Sequence, residues 1–173
     1  MGRRRVRSAA TAVMAAVILT GCAPRPRLEP IGFQQWQRQL RALKGRVVLV
    51  DVWATWCAPC VERFPHMVSL YQQYKSRGVE FVSMDVDDRE DKAAVERARQ
   101  FLIRQKAVFR NYLMDENIMD SFDKLGVQGI PDVMLYDRSG RMRYDLNGND
   151  PNRQATLKDV EAGLATLVAE KTN

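Results

Sequence analysis

The chain has 173 residues, enough for one domain with a sizeable core and too few for two domains of ordinary size. Its 27 basic and 21 acidic residues give a formal charge of +6, but four of the arginines lie before residue 8. Without those four, 23 basic residues stand against the 21 acidic ones, a balance of +2. No basic stripe remains for a nucleic acid to bind, so we exclude that class of function.

Residues 1–21 have the features of a secretion signal. The basic stretch MGRRRVR precedes an apolar run of about a dozen residues, which is too short to span a bilayer comfortably. The run ends in Leu-Thr-Gly-Cys, which resembles a bacterial lipobox and implies lipid attachment to Cys22 after cleavage. An uncleaved membrane anchor is the alternative. Residues 22–32 contain three prolines and predict a stiff, extended tether, and residues 33–173 are the predicted folded domain.

The spacing of apolar residues predicts the elements of this domain in chain order. A first helix ends at Gly45, and the apolar run RVVLVDVW is typical of a buried strand. A helix from Cys57 to about Arg77, a second buried strand, a charged helix over residues 89–105, a short strand and a short helix follow. VMLYD and MRYDL flank Arg-Ser-Gly, a hairpin pattern, and a last helix starts near Leu157. This order predicts an α/β fold whose mixed sheet has parallel and antiparallel halves and helices on both faces.

Cys57 and Cys60 lie where the first buried strand meets the following helix. The unpaired N–H groups and the dipole at a helix N-terminus favour a thiolate, which lowers the pKa of a cysteine there. Once Cys22 carries lipid, the two have only each other as intramolecular partners in an exported chain. Redox chemistry is therefore predicted, in which Cys57 attacks and the more buried Cys60 resolves the mixed disulfide. A zinc site would need a second pair of ligands, and a structural disulfide this short would add little stability.

The stretch VVLVDVWATWCAPCVERFP resembles the active site of the thioredoxin superfamily. Its WATWC and RFP segments are most similar to the exported, membrane-tethered TlpA/ResA/CcmG branch, and the similarity runs from about residue 43 to residue 168. The resemblance implies a thioredoxin fold in which residues 129–131 form the loop whose cis-proline faces the disulfide. It also matches Asp51 to the buried acid of thioredoxin and Asp88 to an acid that ResA-like proteins keep near the disulfide.

The resemblance assigns each of these residues an expected role. Asp51 would have a raised pKa and would accept the Cys60 proton during resolution. Asp51→Asn should then slow resolution and also stabilise the fold, because a costly buried charge disappears. Ile130 and Pro131 would present the backbone to an extended substrate, and Trp56 is either a docking surface or core packing. No metal site is expected, and no cofactor apart from the Cys57–Cys60 disulfide.

Two functions remain open. The first is a lipid-anchored thiol–disulfide oxidoreductase that faces the periplasm or the cell exterior. It would reduce exported proteins such as apocytochrome c, in cytochrome c maturation, and would receive electrons from a membrane thiol donor of the DsbD/CcdA type. The second is a non-catalytic thioredoxin-fold lipoprotein that binds proteins. Proline before the second cysteine resembles reductants, but residue identity alone leaves the direction of electron transfer open.

Overall fold

The computed structural model describes residues 24–147 and 155–170. The predicted signal peptide and Cys22 lie outside these residues, as do the short segments 148–154 and 171–173. In chain order, the elements of the described part are β1 (Glu29–Ile31), α1 (Phe33–Ala42), β2 (Val47–Trp53), α2 (Ala58–Tyr74), β3 (Val79–Asp85), α3 (Lys92–Gln105), β4 (Arg110–Met114), α4 (Ile118–Leu125), β5 (Asp132–Tyr136), β6 (Met142–Asn147) and α5 (Leu157–Ala169).

The strands form one mixed sheet in the order β1-β4-β3-β2-β5-β6. The first four of these are mutually parallel, while β5 is antiparallel to β2 and β6 is antiparallel to β5. The predicted combination of a parallel half and an antiparallel hairpin is therefore confirmed. All seven residues of the central strand β2 are buried, which explains why its sequence is continuously apolar apart from one aspartate.

Successive residues of β2 face opposite layers of the molecule. Val48 and Val50 belong to one buried cluster together with Trp36 of α1. Val47 and Leu49 belong to a second cluster, which contains apolar residues of α2 and α5. Helices therefore cover both faces of the sheet, as the sequence predicted.

Three aromatic rings fix the start of α2 against the end of β2. The ring centroid of Trp53 lies 5.0 Å from that of Phe64 in α2 and 5.1 Å from that of Phe101 in α3. Phe64 and Phe101 are themselves 5.0 Å apart in an edge-on arrangement. Such aromatic pairs contribute about 0.5–1.5 kcal/mol each beyond the area they bury, so the cluster makes a rigid base for the loop between Trp53 and α2.

The predicted tether is shorter than expected, because the domain begins before residue 33. Glu29 pairs with Tyr112 and Ile31 with Met114, so that β1 forms a parallel edge strand beside β4. Leu28 is buried as well. This strand was not predicted because it is only three residues long and contains a proline, which sheets tolerate at their edges.

Candidate active site

Cys57 and Cys60 form a disulfide with their Cα atoms 5.3 Å apart. Cys57 is the N-cap of α2, directly beyond the carboxyl end of β2, so it lies at the helix terminus that favours an anion. Cys57 is 5% exposed and Cys60 is fully buried. Of the two cysteines, only Cys57 therefore keeps any exposed surface.

The Ile130–Pro131 peptide bond is cis, as the sequence predicted. Strand β5 begins immediately after it, and Asp132 pairs with Val52 near the end of β2. The cis-proline loop and the disulfide therefore lie at the same end of the sheet. Ile130 is buried in the same apolar cluster as both cysteines, and Pro131 is buried too.

The two tryptophans around the site have opposite surroundings. Trp53 is completely buried in the aromatic cluster, whereas Trp56, next to Cys57, is 56% exposed. This exposure rules out the core-packing alternative for Trp56. Its use as a docking surface stays a prediction.

Asp51 is 2% exposed and lies on the face of β2 that α2 covers. The Nη2 of Arg63 donates to Oδ1 of Asp51 and, at 3.2 Å, to the backbone carbonyl of Asp132. Burial raises the pKa of Asp51, and the Arg63 guanidinium offsets part of that rise. Within the described part of the chain, Oδ2 of Asp51 is buried without a hydrogen-bond partner. One carboxyl oxygen is thus held by Arg63 and the other is available for a proton.

Arg63 reverses the expected effect of Asp51→Asn on stability. That expectation assumed that the buried Asp51 has no charged partner. In the structure, the Arg63 side chain is only 12% exposed, and it loses its counter-ion in the Asp51→Asn variant. Removing one member of a buried ion pair costs about 3–5 kcal/mol, so we now expect destabilisation. Arg63 was missed, although it follows Cys60 by three residues and so lies on the same helix face.

The acid that contacts the active-site loop is Asp87, one residue before the predicted Asp88. Asp88 is exposed and accepts the N–H of Glu90 at 2.9 Å. Asp87 is 1% exposed, and its two oxygens accept the backbone N–H of Thr55 at 2.8 Å and the Thr55 hydroxyl at 2.9 Å. Asp87 lies in a bend after β3 and Asp88 follows it into the solvent, so an alignment shifted by one residue replaces a buried acid by an exposed one.

A third buried acid supports this loop. Asp85 pairs in register with Trp53, is fully buried, and accepts the N–H of Asp87 at 2.9 Å. Burial, and then the charge of Asp87, raise the pKa of Asp85 well above its ordinary value. Asp85 and Asp87 together fasten the segment from Trp53 to Thr55, which leads directly to the disulfide.

A further titrating group follows the cis-proline. Asp132 is 1% exposed, and burial, together with the charge and hydrogen bonding of Asp145, raises its pKa to about 7. Its Oδ1 has no hydrogen-bond partner among the described residues. Burial, and then the charges of Asp145 and Asp132, raise the pKa of Tyr136 to about 12. The cis-proline loop thus adjoins an acid that changes charge near neutral pH.

The described residues contain neither a metal-binding cluster nor a membrane-spanning helix. No group of three or more His, Cys, Asp or Glu side chains there is arranged to hold a metal ion. None of the helices there combines the length and the apolar character needed to cross a membrane.

The Redoxin family profile matches residues 34–164, a range that includes both cysteines and the cis-proline. The chain belongs to the Redoxin family. It is similar to the thiol-disulfide oxidoreductase ResA of Bacillus subtilis (strain 168), with 33% identity over 111 residues that cover 64% of this chain and 58% of ResA. ResA of Bacillus anthracis is 29% identical over 116 residues, or 67% of this chain and 63% of that protein. The chain thus spans about three-fifths of the length of these relatives.

Solved structures agree with this assignment. A DsbE-like thiol:disulfide interchange protein of Chlorobium tepidum superposes with a TM-score of 0.60 at 28% identity, over 75% of this chain and 85% of that one. A thiol-disulfide isomerase of Corynebacterium glutamicum has a TM-score of 0.62 at 21% identity, over 75% and 84%, and shares the fold. The predicted thioredoxin fold and the resemblance to the TlpA/ResA/CcmG branch are confirmed.

Proposed function

We propose that this protein is an exported thiol–disulfide oxidoreductase, held at a membrane by its N-terminal segment, that reduces disulfides of other exported proteins. One observation carries the proposal. Cys57, the N-cap of α2, forms a disulfide with Cys60 at the end of the sheet where the cis-proline lies, and of the two cysteines only Cys57 keeps any exposed surface. The names of its ResA relatives support the same chemistry.

The first step is attack by reduced Cys57 on a substrate disulfide. The N-terminus of α2 stabilises the Cys57 thiolate, which forms a bond to one substrate sulfur while the other substrate sulfur leaves as a thiolate. A substrate strand would lie along the backbone at Ile130, next to Pro131. Exposed Trp56, next to Cys57, would contact the substrate as well.

The second step is resolution of the mixed disulfide. Cys60 gives up its proton and attacks the sulfur of Cys57, which restores the Cys57–Cys60 disulfide and releases the second substrate thiol. Oδ2 of Asp51 is the proposed proton acceptor, since it is buried without a hydrogen bond in the described part of the chain and its carboxyl group contacts Arg63, three residues after Cys60. Arg63 acts as a positioning residue, because it holds the other oxygen of the same carboxyl group.

Each cycle passes two electrons to the substrate and leaves the cysteine pair oxidised, so a thiol donor must reduce it again. We assign that role to a membrane protein of the DsbD/CcdA type, and we propose disulfides such as that of apocytochrome c as substrates. The proline before Cys60 supports the reducing direction. A reduction potential nearer to the thioredoxin value of about −270 mV than to the DsbA value of about −120 mV would agree with it.

A trapping experiment tests the activity. In the full chain, Cys60→Ser should accumulate mixed disulfides with exported proteins, visible as bands that a reductant removes. The matched control Cys57→Ser/Cys60→Ser should show none. If the Cys60→Ser protein binds partners only without a covalent bond, the protein is a binding module and the proposal is wrong.

Membrane attachment is tested separately at Cys22, which we propose as the lipid site and mature N-terminus. Cys22→Ser should block processing or release soluble protein, whereas the conservative change Thr20→Ser should leave both unchanged. Full membrane retention and normal processing of the Cys22→Ser protein would contradict lipid anchoring. That result would leave the redox proposal intact.

A further inference from the structure

Charged residues are divided between the two ends of the sheet. The amino ends of β2, β3 and β4 are flanked by basic residues, namely Lys44, Arg46, Lys75, Arg77, Lys106 and Arg110. The segments after the carboxyl ends of β3 and β4 are mainly acidic, with Asp87, Asp88, Glu90, Asp91, Asp115 and Glu116. We call the first set the basic end. The disulfide lies at the other end of the sheet, beyond β2.

A cleft of about 380 Å³ opens at the basic end. Its basic lining residues are Arg25, Arg27, Arg46, Lys75 and Arg110. Two glutamates also line it, and Glu80 is already paired with Arg46 at 3.5 Å and Arg110 at 2.8 Å. Within the described ranges, no carboxylate forms an ion pair with Arg25, Arg27 or Lys75, all of which are exposed. The cleft therefore keeps an excess of positive charge.

The chain enters the domain at this same end. Because β1 runs parallel to β4, Arg25 and Arg27 lie beside the amino ends of the strands. Leu28, which is buried, follows Cys22 by six positions, and a fully extended chain of six steps spans at most about 22 Å. If the chain is attached to a membrane at Cys22, Leu28 stays within that distance of the lipid headgroups.

We propose that the basic end binds the phosphate headgroups of anionic phospholipids in the membrane that holds the N-terminal segment. This inference rests on the membrane attachment in the proposed function. Clustered Lys and Arg side chains next to an anchored segment are attracted to anionic lipid, and with a Debye length of about 8 Å in physiological salt the attraction requires close approach. The short connection to Leu28 provides that proximity.

The proposed contact would orient the active site. The seven residues of β2 rise by about 3.3 Å each, so the disulfide lies roughly 23 Å from the basic end. With the basic end on the lipid, Cys57 and the exposed Trp56 would face away from the membrane. The disulfide would then be presented to substrates in the surrounding compartment.

Lysine labelling on vesicles tests the proposal. The full-length protein is reconstituted in vesicles of phosphatidylcholine alone or of phosphatidylcholine with about one-third phosphatidylglycerol, and briefly acetylated with an N-hydroxysuccinimide ester. We expect acetylation of Lys44, Lys75 and Lys106 to fall at least about threefold on the anionic vesicles, and high salt to reverse it. Lys92 and Lys124, near the disulfide end, should react equally on both. Equal labelling of the basic end on both compositions would overturn the proposal.

Charge-reversal variants separate a local contact from a net-charge effect. Arg25→Glu/Arg27→Glu should abolish the protection. The control Lys92→Glu/Lys158→Glu, which changes the net charge equally at the opposite end of the domain, should keep it. Equal loss in both variants would also overturn the proposal. Disulfide reduction is measured on the same vesicles with a soluble disulfide substrate, so that a failure of the redox proposal is seen independently of the labelling pattern.

Discussion

Replacing Arg63 by methionine should lower the stability of the domain and also change its proton chemistry. Methionine keeps most of the apolar stem of the arginine and removes the guanidinium that donates to Asp51 and to the carbonyl of Asp132. Both oxygens of the buried Asp51 carboxyl group then lack a donor, since Oδ2 already has none among the described residues. Loss of one partner of a buried ion pair costs about 3–5 kcal/mol.

We expect a loss of about 3 kcal/mol, near the lower limit, because Asp51 can take up a proton and become neutral. At about 2–4 °C per kcal/mol for a domain of this size, the melting temperature should fall by roughly 6–12 °C. The pKa of Asp51 should rise further, since the charge that opposes its rise is gone. Resolution of the mixed disulfide should then require a higher pH than in the wild type.

Urea unfolding of the oxidised protein measures the stability change, and a pH–rate profile of single-turnover disulfide reduction measures the proton chemistry. Arg63→Lys should recover part of both, since it restores the charge but not the planar donor pair. The double variant Asp51→Leu/Arg63→Met removes both partners, and its free energy of unfolding should lie within about 1 kcal/mol of the wild-type value. The exposed Arg104→Met is the matched control. If Arg63→Met unfolds like that control and keeps the wild-type pH profile, the role assigned to the ion pair is wrong.

Three further predictions address the surroundings of the disulfide. The native state keeps the Asp132 proton to about pH 7, whereas the unfolded chain loses it near pH 4, so this group makes stability fall as pH rises between those values. The free energy of unfolding of Asp132→Asn, measured in urea relative to the wild type, should therefore increase by about 2–4 kcal/mol from pH 4.5 to pH 8. If the stability–pH curves of the two proteins are parallel, this prediction is wrong. Asp87→Ala should lower the free energy of unfolding by about 2–3 kcal/mol, because two hydrogen bonds from Thr55 disappear. The control Asp88→Ala, at an exposed residue, should change it by less than about 0.5 kcal/mol. Equal effects of the two substitutions would show that Asp87 does not hold the loop. Trp56→Ala should lower kcat/KM for a folded protein disulfide about tenfold and leave a small disulfide reagent unaffected, and an equal loss for both would remove the docking role.

Local pattern was sufficient to predict the order of most elements and the position of the disulfide. The apolar run of β2 can be recognised without knowing its distant partners, because a strand that is buried on both faces has apolar residues at nearly every position. The helical spacing after it is likewise a local pattern. The helix start at Cys57 is also marked by residue type, whereas the cis bond before Pro131 was expected from the resemblance to the thioredoxin superfamily. The edge strand β1 was missed, since three residues carry too little periodicity to distinguish a strand from an extended tether.

The sequence by itself determined that two cysteines lie at a helix N-terminus after a buried strand, and its resemblance to the thioredoxin superfamily added the cis-proline loop. Only the tertiary structure decided which charged groups surround them. Arg63 reaches Asp51 because α2 packs across β2, and Asp87 reaches Thr55 because β3 lies beside β2 in a fixed register. Contacts of this kind join residues 12 and 32 positions apart, and a one-residue shift changes the side chain that makes them. Spacing along a chain therefore predicts the reactive pair, while the pKa values of its neighbours depend on packing.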